Sequence, residues 1–390
     1  MAPVAVEKPQ SKPNGAPASP VPAKTATSRT IYKEQATDPN AYNRKLEEEG
    51  SGNIPRAKYQ NYLPTWDATQ RYPPLEPFTH IEHGLAADAT YPDLLGPPGV
   101  TATDLTPTIG TVISGIQISV LSTAGKDQLA LLAARRKVLV FRGQDFADLP
   151  IPKALEIAGY FGRLHIHPTS GSPAGHPEVH MVYRTANEDP GANMLRSRTT
   201  TVAWHSDVSY EEQPPGTTFL YILEKPGTGG DTVFVDMAEA YRRLSPGFRR
   251  RLHGLRAVHS GIEQVEAART QGSLVRRDAV ASVHPIVRTH PATGEKALFV
   301  NPQFAREIVG YKKEEGDLIL NFLAQHIMQG ADFQCRVQWE EGTVVICDNR
   351  VSCHSALLDW AKGPRRYLAR LTPQAERPFE SPYIEEEAEQ

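Results

Sequence analysis

A short stretch in the middle of the chain, Trp204-His205-Ser206-Asp207, carries two side chains that can bind a metal ion. His205 and Asp207 are two positions apart, so on an extended strand both project from the same face. An imidazole nitrogen and a carboxylate oxygen that reach one point make half of a metal site. Because a short H-x-D match carries a high risk of being accidental, other residues must complete the site.

The best candidate for the missing ligand is a distant histidine, His354, in the stretch Ser352-Cys353-His354. Two histidines and one carboxylate on one face of a metal leave the opposite positions open, which is how non-haem Fe(II) oxygenases hold iron. The neighbouring Cys353 is an alternative ligand. On a strand, however, it would point away from His354, and a free cysteine commonly packs as a small apolar side chain, so we interpret it as a buried thiol.

Two arginines near the C-terminus, Arg366 and Arg370, are four positions apart. On a strand they share a face, and Arg365 lies on the other. Guanidinium groups bind planar carboxylates through paired N–H donors and also suit tetrahedral oxyanions. The pair therefore predicts anionic ligands close to the metal. The alternative is a surface ion pair, or an arginine whose stem covers apolar surface.

A second pair of histidines, His165 and His167, occurs in Leu164-His165-Ile166-His167-Pro168. They share a face if the backbone is extended. The spacing alone favours a structural pair, and a contact with substrate or metal is the alternative.

Composition limits the class of protein. The 390 residues include 39% hydrophobic and 22% charged residues, which is typical of a globular protein. The net charge is -3 and no basic face is evident beyond Arg249-Arg250-Arg251, so we expect no nucleic-acid partner. No apolar run approaches the length that spans a membrane, so we expect no membrane association. Three cysteines suit a reducing compartment, and we expect a cytoplasmic location.

Four regions are predicted along the chain. Residues 1–58 contain many Pro, Ala, Ser and Thr and few large apolar residues, which predicts a disordered tail. Residues 59–104 alternate prolines with aromatic residues and predict an extended arm that wraps the folded body or swaps onto a neighbouring copy. The folded domain spans 105–373, and residues 374–390 form a Pro-rich and then acidic tail.

The folded region shows neither a βαβ alternation nor a phosphate-binding glycine loop. Strands are predicted, among others, at 116–118, 138–142, 217–224, 343–347 and 367–372, and the longest amphipathic helix at 312–329. Many short strands with glycine turns predict a mainly β fold with flanking helices, namely a jelly roll, the cupin-like double-stranded β-helix. Strands of a jelly roll cross between two sheets, so ligands about 150 residues apart can face each other at its open end.

Several sets of residues, taken together, resemble the taurine dioxygenase family of Fe(II)- and 2-oxoglutarate-dependent dioxygenases in order and approximate spacing. The resemblance runs from about residue 105 to 373 and is closest to the fungal sulfonate dioxygenases, which carry an N-terminal extension. Leu164-His165-Ile166-His167-Pro168 is similar to the substrate segment of the family. The other matching sets are Trp204-His205-Ser206-Asp207-Val208, Pro214-Pro215-Gly216, Gly229-Gly230-Asp231-Thr232, Asp348-Asn349-Arg350 with His354, and Arg366 with Arg370.

The resemblance implies a cofactor role for five residues. His205, Asp207 and His354 would bind Fe(II). Thr232 and Arg366 would hold the distal carboxylate of 2-oxoglutarate, the arginine by a charge-assisted pair and the threonine through its hydroxyl.

The resemblance also implies the substrate contacts. His167 and Arg370 would hold a sulfonate group, and Val208 would line the cavity. Ser170 and Thr201 stand where the bacterial enzyme has a tyrosine and an asparagine that touch taurine. The identity of the substrate is therefore open.

The implied reaction consumes O2 and 2-oxoglutarate and hydroxylates the carbon next to the sulfonate of taurine or an alkylsulfonate. The products would be an aldehyde, sulfite, succinate and CO2. The alternatives within this chemistry are an alkyl sulfate, an aryloxyacetate, xanthine or a secondary metabolite. A jelly-roll binding protein without catalysis is the alternative of another class. The partners expected are a small anionic organic substrate and further copies of the chain, in a dimer or tetramer.

Overall fold

The computed structural model describes residues 55–65, 67, 69–186, 189, 191–270, 273–361 and 363–384. The predicted disordered tail, residues 1–58, therefore lies almost wholly outside the described residues. Within these ranges, no helix combines the length and the apolar character needed to cross a membrane.

The described part of the chain contains many short strands, most of them four or five residues long. In chain order they are β1 (Thr101–Asp104), β2 (Thr111–Ser114), β3 (Val138–Phe141), β4 (His180–Arg184), β5 (Thr217–Glu224), β6 (Thr232–Asp236), β7 (Arg256–Ser260), β8 (Ala281–Pro285), β9 (Val287–Thr289), β10 (Lys296–Leu298), β11 (Ala305–Ile308), β12 (Gln334–Val337), β13 (Val344–Asp348), β14 (Ser352–Ala356) and β15 (Arg366–Leu371).

Helices lie between the strands. They are α1 (Thr123–Arg136), α2 (Ile151–Gly159), α3 (Ala192–Leu195), α4 (Met237–Arg242), α5 (Pro246–Leu252), α6 (Ile262–Thr270) and α7 (Lys313–Gln329). Their starts follow the local chemistry of helix ends. Ser245 precedes Pro246, the first residue of α5, and its hydroxyl accepts from the N–H of Phe248. The Asp236 carboxylate accepts from the first free N–H groups of α4.

Two sheets face each other and form the jelly roll that the sequence predicts. The larger has the order β1-β2-β3-β13-β5-β15-β4, and the smaller has the order β12-β6-β14. All neighbouring strands are antiparallel except β2 and β3. The remaining strands form a three-stranded sheet, β11-β7-β8, and the hairpin β9-β10.

The sheets pack because side chains alternate along each strand. On β5, Phe219 and Tyr221 belong to the core that includes residues of α1 and α2, whereas Leu220 and Ile222 belong to the core between the two sheets. The inter-sheet core also receives Phe234 from β6. This arrangement determines which faces of β15 and β6 meet.

One predicted strand is wrong. Residues 116–118 end in a 3₁₀ helix, Ile118–Val120. The side chain of Gln144 takes the place of a neighbouring strand: it accepts from the N–H of Ile118 at 2.9 Å and donates to the carbonyl of Ile116 at 2.8 Å. Ile118 is buried as an inward-facing residue would be, but the partner of the backbone here is a side-chain amide.

Arg350 connects three segments that are distant in sequence. The side chain of Arg350 is 2% exposed. Its guanidinium donates to Asp348 at 2.7 Å, to Glu376 at 3.2 Å and to Glu82. Glu82 lies in the segment predicted as an arm and Glu376 in the segment predicted as a tail. Those predicted boundaries stay predictions, and the described part of both segments is attached to the loop between β13 and β14.

Candidate active site

Three side chains that can bind a metal meet beside Phe234, a residue of the core between the two sheets. Ligand atoms of His205, Asp207 and His354 all lie within 4.8 Å of one another. Nε2 of His205 is 3.5 Å and Nε2 of His354 is 3.7 Å from Oδ1 of Asp207. The structure therefore brings together the three residues that the sequence singled out, and one metal ion can reach all three.

The backbone around these residues differs from the extended strand expected for the H-x-D stretch. His205 and His354 form an isolated antiparallel bridge in which each N–H donates to the carbonyl of the other, at 3.0 and 2.8 Å. The chain then turns at Asp207, and Val208 has φ +39°, an uncommon conformation for a β-branched residue. The turn, and not strand alternation, directs the carboxylate toward the two imidazoles.

Hydrogen bonds orient the candidate ligands. Nδ1 of His205 donates to the carbonyl of Ala203 at 2.8 Å, which leaves a lone pair on Nε2. The side chain of Asn349 accepts from the N–H of Asp207 at 2.8 Å and donates to its carbonyl at 3.0 Å. These bonds fix the first two candidate ligands before any ion binds.

The charges of the site suit a cation. Burial opposes ionisation of Asp207, but Arg370 and then His354 hold the pKa of this carboxyl well below its usual value. Burial lowers the pKa of His354 to about 3, so its imidazole is neutral and can ligate a metal. Oδ2 of Asp207 is buried and has no hydrogen-bond partner within the described residues. An unsatisfied buried carboxylate oxygen beside two imidazoles fits a transition-metal ion.

Arg366 projects from β15 into the same space and is 1% exposed. Its Nε donates to the carbonyl of Gly230 at 2.8 Å, while Nη2 is buried and finds no partner in the part of the chain that is described. Burial, and then Arg184, lower the pKa of Arg366 to about 10, so it stays positively charged at neutral pH. Gly230 has φ +73°, and a Cβ there would lie 3.1 Å from Cδ of Arg366, so a larger residue would strain the backbone and crowd this guanidinium stem.

Thr232 opens β6 with its hydroxyl buried. Nε1 of Trp339 donates to this hydroxyl at 3.2 Å, which leaves the hydroxyl proton free to donate. Thr232 and Phe234 alternate with Val233 along β6, and Phe234 belongs to the inter-sheet core. Thr232 therefore lies on the face of β6 that meets β15.

Arg370 lies directly beside the candidate metal ligands, and His167 has its own hydrogen bonds. Nη1 of Arg370 donates to Oδ1 of Asp207, so a guanidinium lies against one of the candidate ligands. Nδ1 of His167 accepts from the N–H of Thr169 at 3.3 Å and lies 2.9 Å from Oγ of Ser170. An amide N–H can only donate, so the ring proton of neutral His167 is on Nε2.

His165 has a different environment from His167. Nε2 of His165 lies 2.8 Å from both Oε1 of Glu211 and Nη2 of Arg277, and all three side chains are buried. The buried cluster fits the structural role that the spacing favoured for the histidine pair. Only His165 belongs to this cluster. The sequence analysis did not find Glu211 or Arg277, because they come from two distant segments.

Neither Val208 nor Cys353 contributes a polar atom to the site. Val208 is 2% exposed and packs with Tyr210 and Phe304, whose ring contacts that of His205. Cys353 is buried on the opposite face of β14, where Sγ lies 3.1 Å from Oγ of Ser206, and burial raises the pKa of its thiol to about 12. A protonated thiol on that face is the expected buried cysteine and no metal ligand.

A second group of possible ligands, His80, Glu82 and Glu376, has a simpler explanation. Arg350 lies between the two carboxylates and bonds to both, and Arg288 donates to Glu376 at 2.6 Å. These guanidinium groups already neutralise the acids, so the group is an ion-pair network.

Comparison with known proteins places these residues in a family context. A family model described as "Taurine catabolism dioxygenase TauD, TfdA family" matches residues 101–372. An alpha-ketoglutarate-dependent sulfonate dioxygenase of Saccharomyces cerevisiae is 44% identical over 83% of this chain and 80% of its own length. The alpha-ketoglutarate-dependent dioxygenase cnsM of Penicillium expansum is also 44% identical, over 85% of this chain and 93% of its own length. The crystal structure of a taurine dioxygenase from Burkholderia xenovorans has a TM-score of 0.58 and 29% identity, covering 72% of this chain and 91% of that one.

Proposed function

The chain belongs to the taurine catabolism dioxygenase TauD, TfdA family, and from this premise we propose that it is an Fe(II)- and 2-oxoglutarate-dependent dioxygenase that acts on an organosulfonate. The observation that carries the proposal is the convergence of His205, Asp207 and His354 within 4.8 Å, with Arg370 bonded to the same carboxylate. A binding site for an organic anion thus lies directly beside the position for a redox-active metal.

Each side chain has a role in this proposal. His205, Asp207 and His354 hold ferrous iron, which supplies the activation of O2 when bound. The unpartnered Nη2 of Arg366 and the hydroxyl of Thr232 hold the distal carboxylate of 2-oxoglutarate, because both can donate to an anion that replaces their missing partner.

The substrate would bind at the side chains that have no role in holding iron or 2-oxoglutarate. Arg370 and the Nε2–H of His167 hold the sulfonate, and Val208 bounds the apolar part of the molecule. The overall reaction balances as sulfonate, 2-oxoglutarate and O2 giving aldehyde, sulfite, succinate and CO2. The protein contributes orientation: it fixes the carbon next to sulfur close to the metal and keeps water away from the reacting atoms.

The test is turnover of a panel of alkanesulfonates with Fe(II), 2-oxoglutarate and O2, followed by sulfite and succinate. We expect the two products in equal amounts from at least one sulfonate. We expect His205→Ala to lose iron binding and all 2-oxoglutarate turnover. His326→Ala on α7 should keep both, because His326 bonds to the Ala240 carbonyl and stands against Phe322 and Phe333 instead of the candidate ligands. Normal succinate release by His205→Ala would contradict the ligand assignment.

A second candidate is the same reaction on a different molecule. The chain is as similar to cnsM, whose name specifies no sulfonate, as it is to the yeast sulfonate dioxygenase. The panel should therefore include alkyl sulfates, aryloxyacetates, xanthine and uncharged compounds. Succinate release without sulfite, on one of these compounds only, would favour this candidate, and no succinate with any compound would favour a binding protein.

A further inference from the structure

His180 lies beside the proposed substrate anion site, although nothing in the sequence analysis singled it out. It is the first residue of β4 and pairs directly with Arg370 of β15 in the antiparallel register. Side chains at paired positions stand on the same face of a sheet, with Cβ atoms roughly 5 Å apart. The neighbouring Val182 on β4 and Leu368 on β15 pack in the core between the sheets, so this shared face is the inner one.

The ring of His180 also contacts the ring of His167. Their centroids are 4.5 Å apart and the planes are tilted by 58°. His167, His180 and Arg370 therefore form one group that comes from three segments: the loop before β4, β4 itself and β15.

One ring nitrogen of His180 lacks a polar partner that would explain its burial. Its Nδ1 is shielded from solvent and finds no hydrogen-bond partner in the described ranges. A buried polar atom without a partner costs roughly 1 to 3 kcal/mol. Burial, and then Arg370, hold the pKa of His180 well below its usual value, although Asp207 opposes them. The imidazole is thus neutral, and one of its nitrogens carries a proton to donate.

We propose that His180 is a third anion-binding residue of the substrate site and that it makes this site selective for a tetrahedral headgroup with three oxygens. This inference rests on the proposed function. In this role, the guanidinium of Arg370, the Nε2–H of His167 and a ring N–H of His180 would each donate to one oxygen of the bound headgroup.

Three donors suit a sulfonate or sulfate better than a carboxylate. A tetrahedral headgroup presents three oxygens in a cone, whereas a carboxylate presents two in one plane. With a carboxylate bound, one of the three donors would stay unpaired in a buried position, and sites that leave a buried donor unpaired discriminate strongly against the wrong ligand. His180 would then contribute to selectivity as well as to affinity.

The experiment compares binding of ethanesulfonate with binding of propanoate, which has the same chain but a planar headgroup. Calorimetry is performed without O2 on the protein loaded with Fe(II) and 2-oxoglutarate. His180→Phe keeps a ring of similar shape and removes the donor, so we expect about tenfold weaker sulfonate binding and less than about threefold weaker carboxylate binding. We expect His180→Asn, whose amide nitrogen can replace the unpartnered Nδ1, to recover most of the loss, and the affinity for 2-oxoglutarate to stay unchanged.

His176→Phe, four residues earlier in a turn, is the matched control and should bind both anions as the unchanged protein does. If His180→Phe does not fold, His180→Ala, which removes bulk, carries the same expectation. Unchanged sulfonate affinity in either variant, or an equal loss for both anions, would overturn the role of His180. If the unchanged protein binds no sulfonate or sulfate at all, the proposed function fails, and this inference fails with it.

Discussion

The carboxylate of Asp207 is 1% exposed and has one strong cationic partner, Arg370. A buried charge without a counter-charge is costly, because the protein interior solvates it poorly. Arg370 therefore has a structural role in the metal-free chain, in addition to its proposed contact with the substrate. The same ion pair explains why the buried carboxyl of Asp207 is ionised before a metal ion binds.

Replacing Arg370 by leucine should destabilise the metal-free protein. We expect a loss of about 3 kcal/mol in the free energy of unfolding, because the Asp207 carboxylate stays buried without its counter-charge. Guanidinium unfolding in the presence of a chelator measures this. Arg377→Leu breaks an exposed ion pair with Glu212 and should cost less than about 0.5 kcal/mol. Equal losses in the two variants would contradict the argument.

The loop between β13 and β14 holds two of the candidate ligands in place. It leads into His354 on β14, and its Asn349 side chain bonds to both backbone groups of Asp207. The sheets alone do not place Asp207, since it lies in a turn with no strand partner. A side-chain amide therefore substitutes for the missing backbone ladder.

Asn349→Ala should weaken metal binding without removing a ligand. We expect an affinity for Fe(II) roughly tenfold lower, because groups that orient metal ligands commonly contribute that much. Gln144→Ala is the control: this amide is also buried and bonds to three backbone groups, but beside Ile118. It should lose comparable stability and keep the metal affinity. If both variants bind Fe(II) as well as the unchanged protein does, the orienting role of Asn349 is wrong.

At the scale of the whole molecule, the Arg350 network joins the loop that supports Asp207 to Glu82, in the segment predicted as an arm, and to Glu376, in the segment predicted as a tail. Burial alone would raise the pKa of Glu82 and of Glu376. Arg350 instead lowers the pKa of Glu82 to about 2, and Arg288 and Arg350 lower that of Glu376 to about 2. Both carboxyl groups are thus harder to protonate in the folded protein than in the unfolded chain, where the value is about 4.5.

This difference predicts sensitivity to acid. Depressed carboxyl pKa values stabilise the fold fully above about pH 5, and the contribution is lost as the pH falls from about 5 to about 2, because the unfolded chain binds protons first. The free energy of unfolding, measured across this range, should fall steadily. Glu82→Gln/Glu376→Gln should be less stable at neutral pH and show a shallower fall. A curve parallel to that of the unchanged protein would show that other groups control the acid response.

Much of the molecule can be predicted from the sequence, for identifiable reasons. Strand β5 and helix α7 follow from apolar runs and periodicity, and the three candidate metal ligands follow from residue type and family spacing. The 3₁₀ helix at Ile118 could not be predicted, because its partner is the side chain of Gln144. The proposed role of His180 could not be predicted for a related reason: it depends on the register of β4 with β15, which no local sequence pattern contains. The oligomeric state and the cytoplasmic location stay predictions.

The order of strands in the large sheet has a consequence for how this protein is made. Strand β15 lies between β5 and β4, and the edge strand β4 has no other partner in that sheet. A ribosome must therefore synthesise the chain through β15, the last strand of this sheet in chain order, before β4 acquires a neighbour and before Arg370 arrives beside Asp207. Until then, the nascent chain exposes an incomplete sheet whose unpaired edges can associate with other chains. Protection of these edges from aggregation during translation should therefore matter more here than in folds that assemble from the N-terminus onward.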